Sequence, residues 1–144
     1  MRAIATLLLS CLLLACSSSR AHQQASSSLS ASARLQAIPP ADPSKFGAVR
    51  ATSSWRNPYL IVSKNGISLL DVANSEERLL QPAELLTALA ALPPSAWPYG
   101  RVVAVQESGI GGSDQDRAAI RKNRAVLAGT LEEAHIIVTW MPAT

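Results

Sequence analysis

The residues best equipped for chemistry cluster between Glu107 and Arg124. Gly109-Ile110-Gly111-Gly112 falls between a valine-rich run and a helical segment, a position where backbone N–H groups can cradle a phosphate. The third glycine of a G-x-G-x-x-G pattern is absent, because Asp114 stands in its place, and Asp114 with Asp116 would repel an anion. The loop is therefore expected to be a turn before a capped helix. Glu107, Asp114 and Asp116 are oxygen donors suited to a hard cation, but they lack the spacing of a cation-binding loop and are expected to be solvated charges. Ser113 is not set in a G-x-S-x-G turn, and the histidines are His22 and His135. A serine nucleophile needs a base that can reach it, so His135 is expected to be a structural or surface residue. Arg117, Arg121 and Arg124 follow at helical spacing with Lys122 beside them, which puts three guanidinium groups on one helix side. They are candidates for meeting an acidic partner, and the same pattern suits a solvated face.

The second group of candidates is aromatic. Only 4% of the residues are aromatic, yet Trp55-Arg56-Asn57-Pro58-Tyr59 and Trp97-Pro98-Tyr99-Gly100 hold most of them in two loops, each before a strand. The two loops are expected to pack together or share a surface. Trp97 and Tyr99 are the candidate partner-binding residues, as a platform for a peptide, a glycan or a protein. The alternative is that they act as lids on the core.

The N-terminus carries a different chemistry. Arg2 precedes an apolar stretch from Ala3 to Leu14, and Ala15 is a small residue before Cys16. That pattern reads as a cleavable export leader, residues 1–15, too short to span a bilayer. The run Leu13-Leu14-Ala15-Cys16 resembles the lipobox of bacterial lipoproteins, which implies acylation, palmitate included, of the Cys16 thiol, cleavage before it, and membrane attachment through lipid. If the host has two membranes, Ser17 rather than Asp after the cysteine resembles the sorting pattern for the outer membrane, facing the periplasm. No cysteine follows Cys16, so disulfides, a thiol nucleophile and a thiolate metal site are excluded from the exported part.

The elements that must position these residues can be read from periodicity. From 16 to 54 the chain is rich in Ser, Ala, Gln and Pro, and is expected to be a lipidated N-terminus followed by a flexible tether. Twenty-eight residues of such a chain span roughly 30 Å root-mean-square. Residues 55–144 should form one small domain. Pro58 to Ser63 and Ile67 to Asp71 predict a hairpin, with Asn65-Gly66 in a type I′ turn. Leu79-Leu80 leads into a helix opening at Pro82, carried by Leu85, Leu86, Leu89 and Leu92 and stopped by Pro93-Pro94. Arg101 to Glu107 is a buried strand. Ser113 and Asp116 open a second helix to about Ala134, with Ile120, Leu127, Leu131 and Ala134 facing the core; Gly129 suggests a close approach to the sheet. His135 to Trp140 is the last strand. The order predicts a two-layer α/β sandwich: a mixed sheet of about four strands, both helices on one face, and a right-handed parallel crossover at the end.

Over residues 59–141 the Asn-Gly hairpin, the Pro-x-x-Leu helix opening at Pro82, the valine strand and the helix running into Ile136-Ile137-Val138 together resemble the periplasmic domain of the ExbD/TolR proteins. The resemblance implies an accessory role in envelope transport. It stops at the N-terminus, where that family carries a transmembrane helix with an aspartate and this chain carries a leader without an acidic residue.

The chain has 144 residues, about 129 without the leader, which is enough for one domain. Thirteen basic residues stand against ten acidic ones, and twelve against ten once Arg2 is removed, too small a surplus to argue for nucleic acid. The residues present assemble no nucleophile–base pair and no metal cluster, and no cofactor is implied. The expectation is a non-catalytic, lipid-anchored envelope protein without a transmembrane helix in the mature chain, whose domain binds an envelope protein or peptidoglycan. The rivals are a small hydrolase or ligand-sensing enzyme, and a scaffolding lipoprotein without a ligand.

Overall fold

The computed structural model describes residues 30–72 and 74–143, so the leader, Cys16 and the first part of the expected tether lie outside the described residues. The described chain is one mixed α/β unit. Helix α1 (30–36) and a short α2 (Pro43–Phe46) precede strands β1 (Tyr59–Ser63), β2 (Gly66–Asp71) and β3 (Glu76–Leu80). A 3₁₀ turn (Pro82–Glu84) leads into α3 (Leu85–Ala90), followed by β4 (Val102–Glu107), α4 (Asp114–Glu133) and β5 (Ile137–Trp140). The sheet order is β3-β2-β1-β4-β5; β4 runs parallel to β1 and to β5, and the other pairings are antiparallel.

The sheet has five strands, one more than expected. The additional strand is β3, whose Glu76-Glu77-Arg78 lacks the alternation of a half-buried strand because it lies at the sheet edge, where charge is tolerated. The hairpin joins β1 and β2 as expected, with a different turn. Ser63 pairs with Gly66, so Lys64 and Asn65 are the turn residues, and it is Gly66, the first residue of β2, that has positive φ (137°). The α3 segment is short because Pro82 at one end and Pro93-Pro94 at the other leave room for little more than two turns.

Helix α4 forms as its sequence requires. The Ser113 hydroxyl accepts from the Asp116 N–H at 3.1 Å, and the Asp116 carboxylate accepts from the Ser113 N–H at 3.2 Å. Ile120, Leu127, Leu131 and Ala134 are buried. Gly129 makes no close approach to the sheet: it is exposed, and a Cβ there would meet nothing within 4 Å.

Alternation along the central strands divides the core in two. Leu60, Val62, Val103 and Val105 point to the face covered by α1, α3 and α4, where they pack with Leu35, Leu89, Leu127 and Leu131. Tyr59, Ile61, Val102 and Ala104 point to the opposite face, where Phe46, Trp55 and Met141 cover them. The main helices share one face, as expected, but the second face is covered as well.

What covers it corrects the expected tether. The described residues 30–54 form a strap that belongs to the fold. Leu35 is 0% exposed on the helix side, the carbonyl of Pro39 accepts from the Arg101 N–H at 2.9 Å, and the Asp42 N–H donates to the Tyr99 carbonyl at 3.0 Å. The strap then crosses to the other face, where Asp42 caps α2 and Phe46 is buried. Composition misleads here because Ser, Ala and Pro predominate: the apolar stripe of α1 and the turn after it, Ala31, Leu35 and Ile38, has helical spacing but is too short to stand out, and Phe46 lies apart from it.

Candidate functional site

The loop that follows the strap, the end of β2 and the beginning of β3 enclose an open cleft of about 740 Å³. Trp55 to Pro58 line one side, Leu69 to Val72 and Glu76 to Arg78 the other, and Leu92 and Ala96 close it from the loops around the 3₁₀ turn Pro94–Ala96. Asn57 fixes the loop side. It is 5% exposed, and its amide donates to the carbonyls of Gly100 (2.7 Å) and Val102 (2.8 Å) while its oxygen accepts from the Tyr99 N–H (2.9 Å). One side chain therefore saturates three backbone groups of the loop entering β4. Trp55 is held by its indole N–H to the Pro58 carbonyl at 3.2 Å. The lining is apolar below (Trp55, Pro58, Leu69, Leu70, Val72, Leu92, Ala96) and charged at the rim, with Arg56 and Arg78 against Asp71, Glu76 and Glu77. Such a site can bind an apolar group and sort its charged neighbours; among the lining residues the cleft holds no histidine or cysteine for acid–base or nucleophilic work.

The two aromatic loops do pack together. The ring of Tyr99 meets that of Trp55 edge-on at 5.2 Å, and both contact Phe46. Trp97 does not stand on a surface: it is 4% exposed and packs in the helix-side core. Tyr99 is half-buried, and its hydroxyl donates to the Ser54 carbonyl at 3.3 Å. Trp97 thus corrects the expectation of an exposed recognition platform. The reason is the tight turn from Trp97 to Gly100, closed by the Gly100 N–H donating to the Trp97 carbonyl at 3.0 Å, which leaves Trp97 on one face and carries Tyr99 to the other.

The arginines of α4 are mostly engaged. Arg117 bonds the Gly112 carbonyl and the Asp114 carboxylate. Arg124 pairs with Glu107 at 2.7 Å and lies 4.1 Å from the centre of the Trp140 ring. Arg121 and Lys122 are exposed and form no ion pair among the described residues. The carboxylates weighed as cation ligands are distributed accordingly: Glu107 to Arg124, Asp114 to Arg117, and Asp116 to Lys64 (3.3 Å) and the helix cap. The Lys64 ammonium, followed by the Ser113 N–H and hydroxyl, holds the Asp116 carboxyl below its ordinary value of 3.8. Among the described residues no group of three His, Cys, Asp or Glu side chains could hold a metal ion.

His135 has a backbone role. It adopts φ 55° just past α4, its N–H donates to the Glu132 carbonyl, and the Ile136 N–H donates to that of Leu131, the paired bonds of a Schellman ending. Ser113 and His135 flank opposite ends of a 20-residue helix, roughly 30 Å long, so they cannot act on one substrate. No helix among the described residues is long and apolar enough to cross a membrane. No family model, curated protein or solved structure matches this chain.

Sequence reasoning singled out the Trp55 to Tyr59 loop but missed the cleft it borders. The far wall is built by β3, a strand without strand periodicity.

Proposed function

We propose that this chain is a lipid-anchored cell-envelope protein, attached through acylated Cys16, whose non-catalytic α/β domain binds a protein segment in the cleft beside β3. The single observation that carries the anchor is the run Leu13-Leu14-Ala15-Cys16 at the end of a leader-like stretch. Support for a protein partner comes from the cleft chemistry. An apolar floor with a rim of both signs suits a segment presenting an apolar side chain between charged ones. Resemblance to the ExbD/TolR periplasmic domain extends the proposal to an accessory role in envelope transport. In a host with two membranes the place is the outer membrane, facing the periplasm.

The strap bears on how far such a domain reaches. From Cys16 to Ser30 a fully extended chain spans at most about 50 Å, against about 140 Å from Cys16 to Trp55. A domain that begins at α1 stays close to the bilayer that holds it.

The test is metabolic labelling with a fatty-acid analogue, followed by fractionation. Wild type is expected to carry label and sediment with membranes, and Cys16→Ser to lose the label and appear as soluble protein or uncleaved precursor. A mature, membrane-bound, unlabelled protein would contradict the anchor. Arg78→Trp, which places a large ring from an exposed position over the cleft, is expected to reduce crosslinking to a partner in native membranes at least about tenfold with no loss of fold.

A further inference from the structure

The two edges of the sheet are chemically unlike. β3 presents Glu76, Glu77 and Arg78, the charges that keep an edge from pairing. β5, Ile137-Val138-Thr139-Trp140, carries no charge, and Ile137 (50%) and Trp140 (40%) are among the most exposed large apolar residues described. Among the described residues no strand pairs with its outer side. The phase of its ladder is set: the N–H of Ile137 donates to Arg101 and that of Met141 to Val105, so odd-numbered residues bond inward to β4. Val138 and Trp140 therefore turn their N–H and C=O groups outward.

We propose that β5 pairs antiparallel with β5 of a second copy of this chain, about a two-fold axis through Thr139, joining the two sheets into one of ten strands. The segment 137–141 is self-complementary in four respects. Its length is symmetric about Thr139, between the Schellman ending at Ile136 and Pro142, which has no N–H to donate. Its bonding phase fits, because Val138 opposite Trp140 of the second copy makes two hydrogen-bonded pairs, each exchanging both bonds. Its side chains fit, since those pairs set the indole against valine on the helix face, while Ile137 meets Met141 of the second copy on the other face. Its charges fit as well. Arg124 against Trp140 places the arginine side of α4 towards this edge, and Glu132 lies three turns beyond Arg121 on the same helix side. The two-fold axis runs the α4 helices of the two copies antiparallel, which brings Arg121 towards Glu132 of the second copy and gives the unpaired arginine an acidic partner. An isologous contact of this kind closes on itself and leaves no further edge of the same type.

The register makes the test sharp. Thr139 faces its own equivalent in a non-hydrogen-bonded pair, with Cα atoms about 4.5 Å apart, within the range a disulfide spans. The full chain carrying Thr139→Cys, expressed with its leader and oxidised mildly in native membranes, is expected to form a disulfide-linked homodimer. Glu77→Cys, an exposed position on the β3 edge, is expected to remain monomeric under the same treatment. Adding Trp140→Lys, or independently Ile137→Lys, to Thr139→Cys should lower the dimer yield at least about tenfold, with resistance to proteolysis showing that the fold is kept. Four results would overturn the proposal: no dimer with Thr139→Cys, equal dimer with Glu77→Cys, a yield indifferent to both lysines, or a disulfide formed with a different protein.

Discussion

The two faces of the sheet bury comparable apolar side chains by different means. On the helix side, Leu85, Leu89, Ile120, Leu127 and Leu131 recur at spacings of four and seven, and each helix presents a continuous stripe. On the strap side, Phe46, Trp55 and Met141 come from separate segments with no shared period, and long stretches between them are polar. Burial depends on where side chains end up, whereas periodicity reports only the regular elements that carry them. A segment can therefore be integral to a core and read as a linker.

The largest effect that would sharpen this comparison is expected where the two faces are joined. Gly100 has φ +79°, and a Cβ there would lie 2.2 Å from the Pro40 carbonyl oxygen, a backbone atom that cannot swing aside. Gly100→Ala should cost about 3 kcal/mol or more and detach the strap, seen as a loss of cooperative unfolding or as rapid proteolysis near residues 37–42. Next come the two tryptophans. If the faces are equally part of the core, Trp55→Ala and Trp97→Ala should each cost about 3–5 kcal/mol in denaturant unfolding. A small cost for Trp55 alone would reduce the strap face to a loose cover.

Smaller effects test the ends of α4. Gly129→Ala should stabilise by about 1 kcal/mol, since the position is helical, exposed and unobstructed. His135→Gly should gain a similar amount by removing a side chain from a left-handed position, and a loss of stability instead would assign the imidazole a contact of its own. The smallest expected effect is on pH. Asp42, held down chiefly by the Ser44 hydroxyl and N–H, and Asp116, by Lys64 and Ser113, have folded values below their ordinary 3.8. A depressed carboxylate favours the fold fully above its unfolded value, and that contribution is lost as the pH falls through the folded one. Asp116→Asn should therefore lower stability slightly at neutral pH, converge with wild type at the acid end where the carboxylate is protonated, and so flatten the acid limb of the stability curve below about pH 4.

How much was legible follows from the same contrast. The mixed α/β class, the buried strand β4, the cap at Ser113 and the core face of α4 were readable because each rests on local chemistry or on a regular period. β3 was not, because Glu76, Glu77 and Arg78 are edge residues whose strand state comes from pairing with Asp71, Leu70 and Leu69. The burial of Trp97 was not legible for a related reason: the ring is covered by the helix-side core, whose members, Leu35 among them, lie far from it in the sequence, and the turn from Trp97 to Gly100 that separates it from Tyr99 carries no period. The cleft inherits the first of these, since one wall is the Trp55–Pro58 loop that the sequence brings into view and the other is β3.

That the folded unit starts at α1 can be decided by comparing denaturant unfolding of residues 30–144 with that of residues 55–144. One cooperative transition is expected for the longer chain and none, or a markedly weaker one, for the shorter, which lacks Leu35, Phe46 and the bonds from Pro39 and Asp42 to the loop before β4. Equal stability of the two chains would contradict it and return residues 30–54 to the role of a tether.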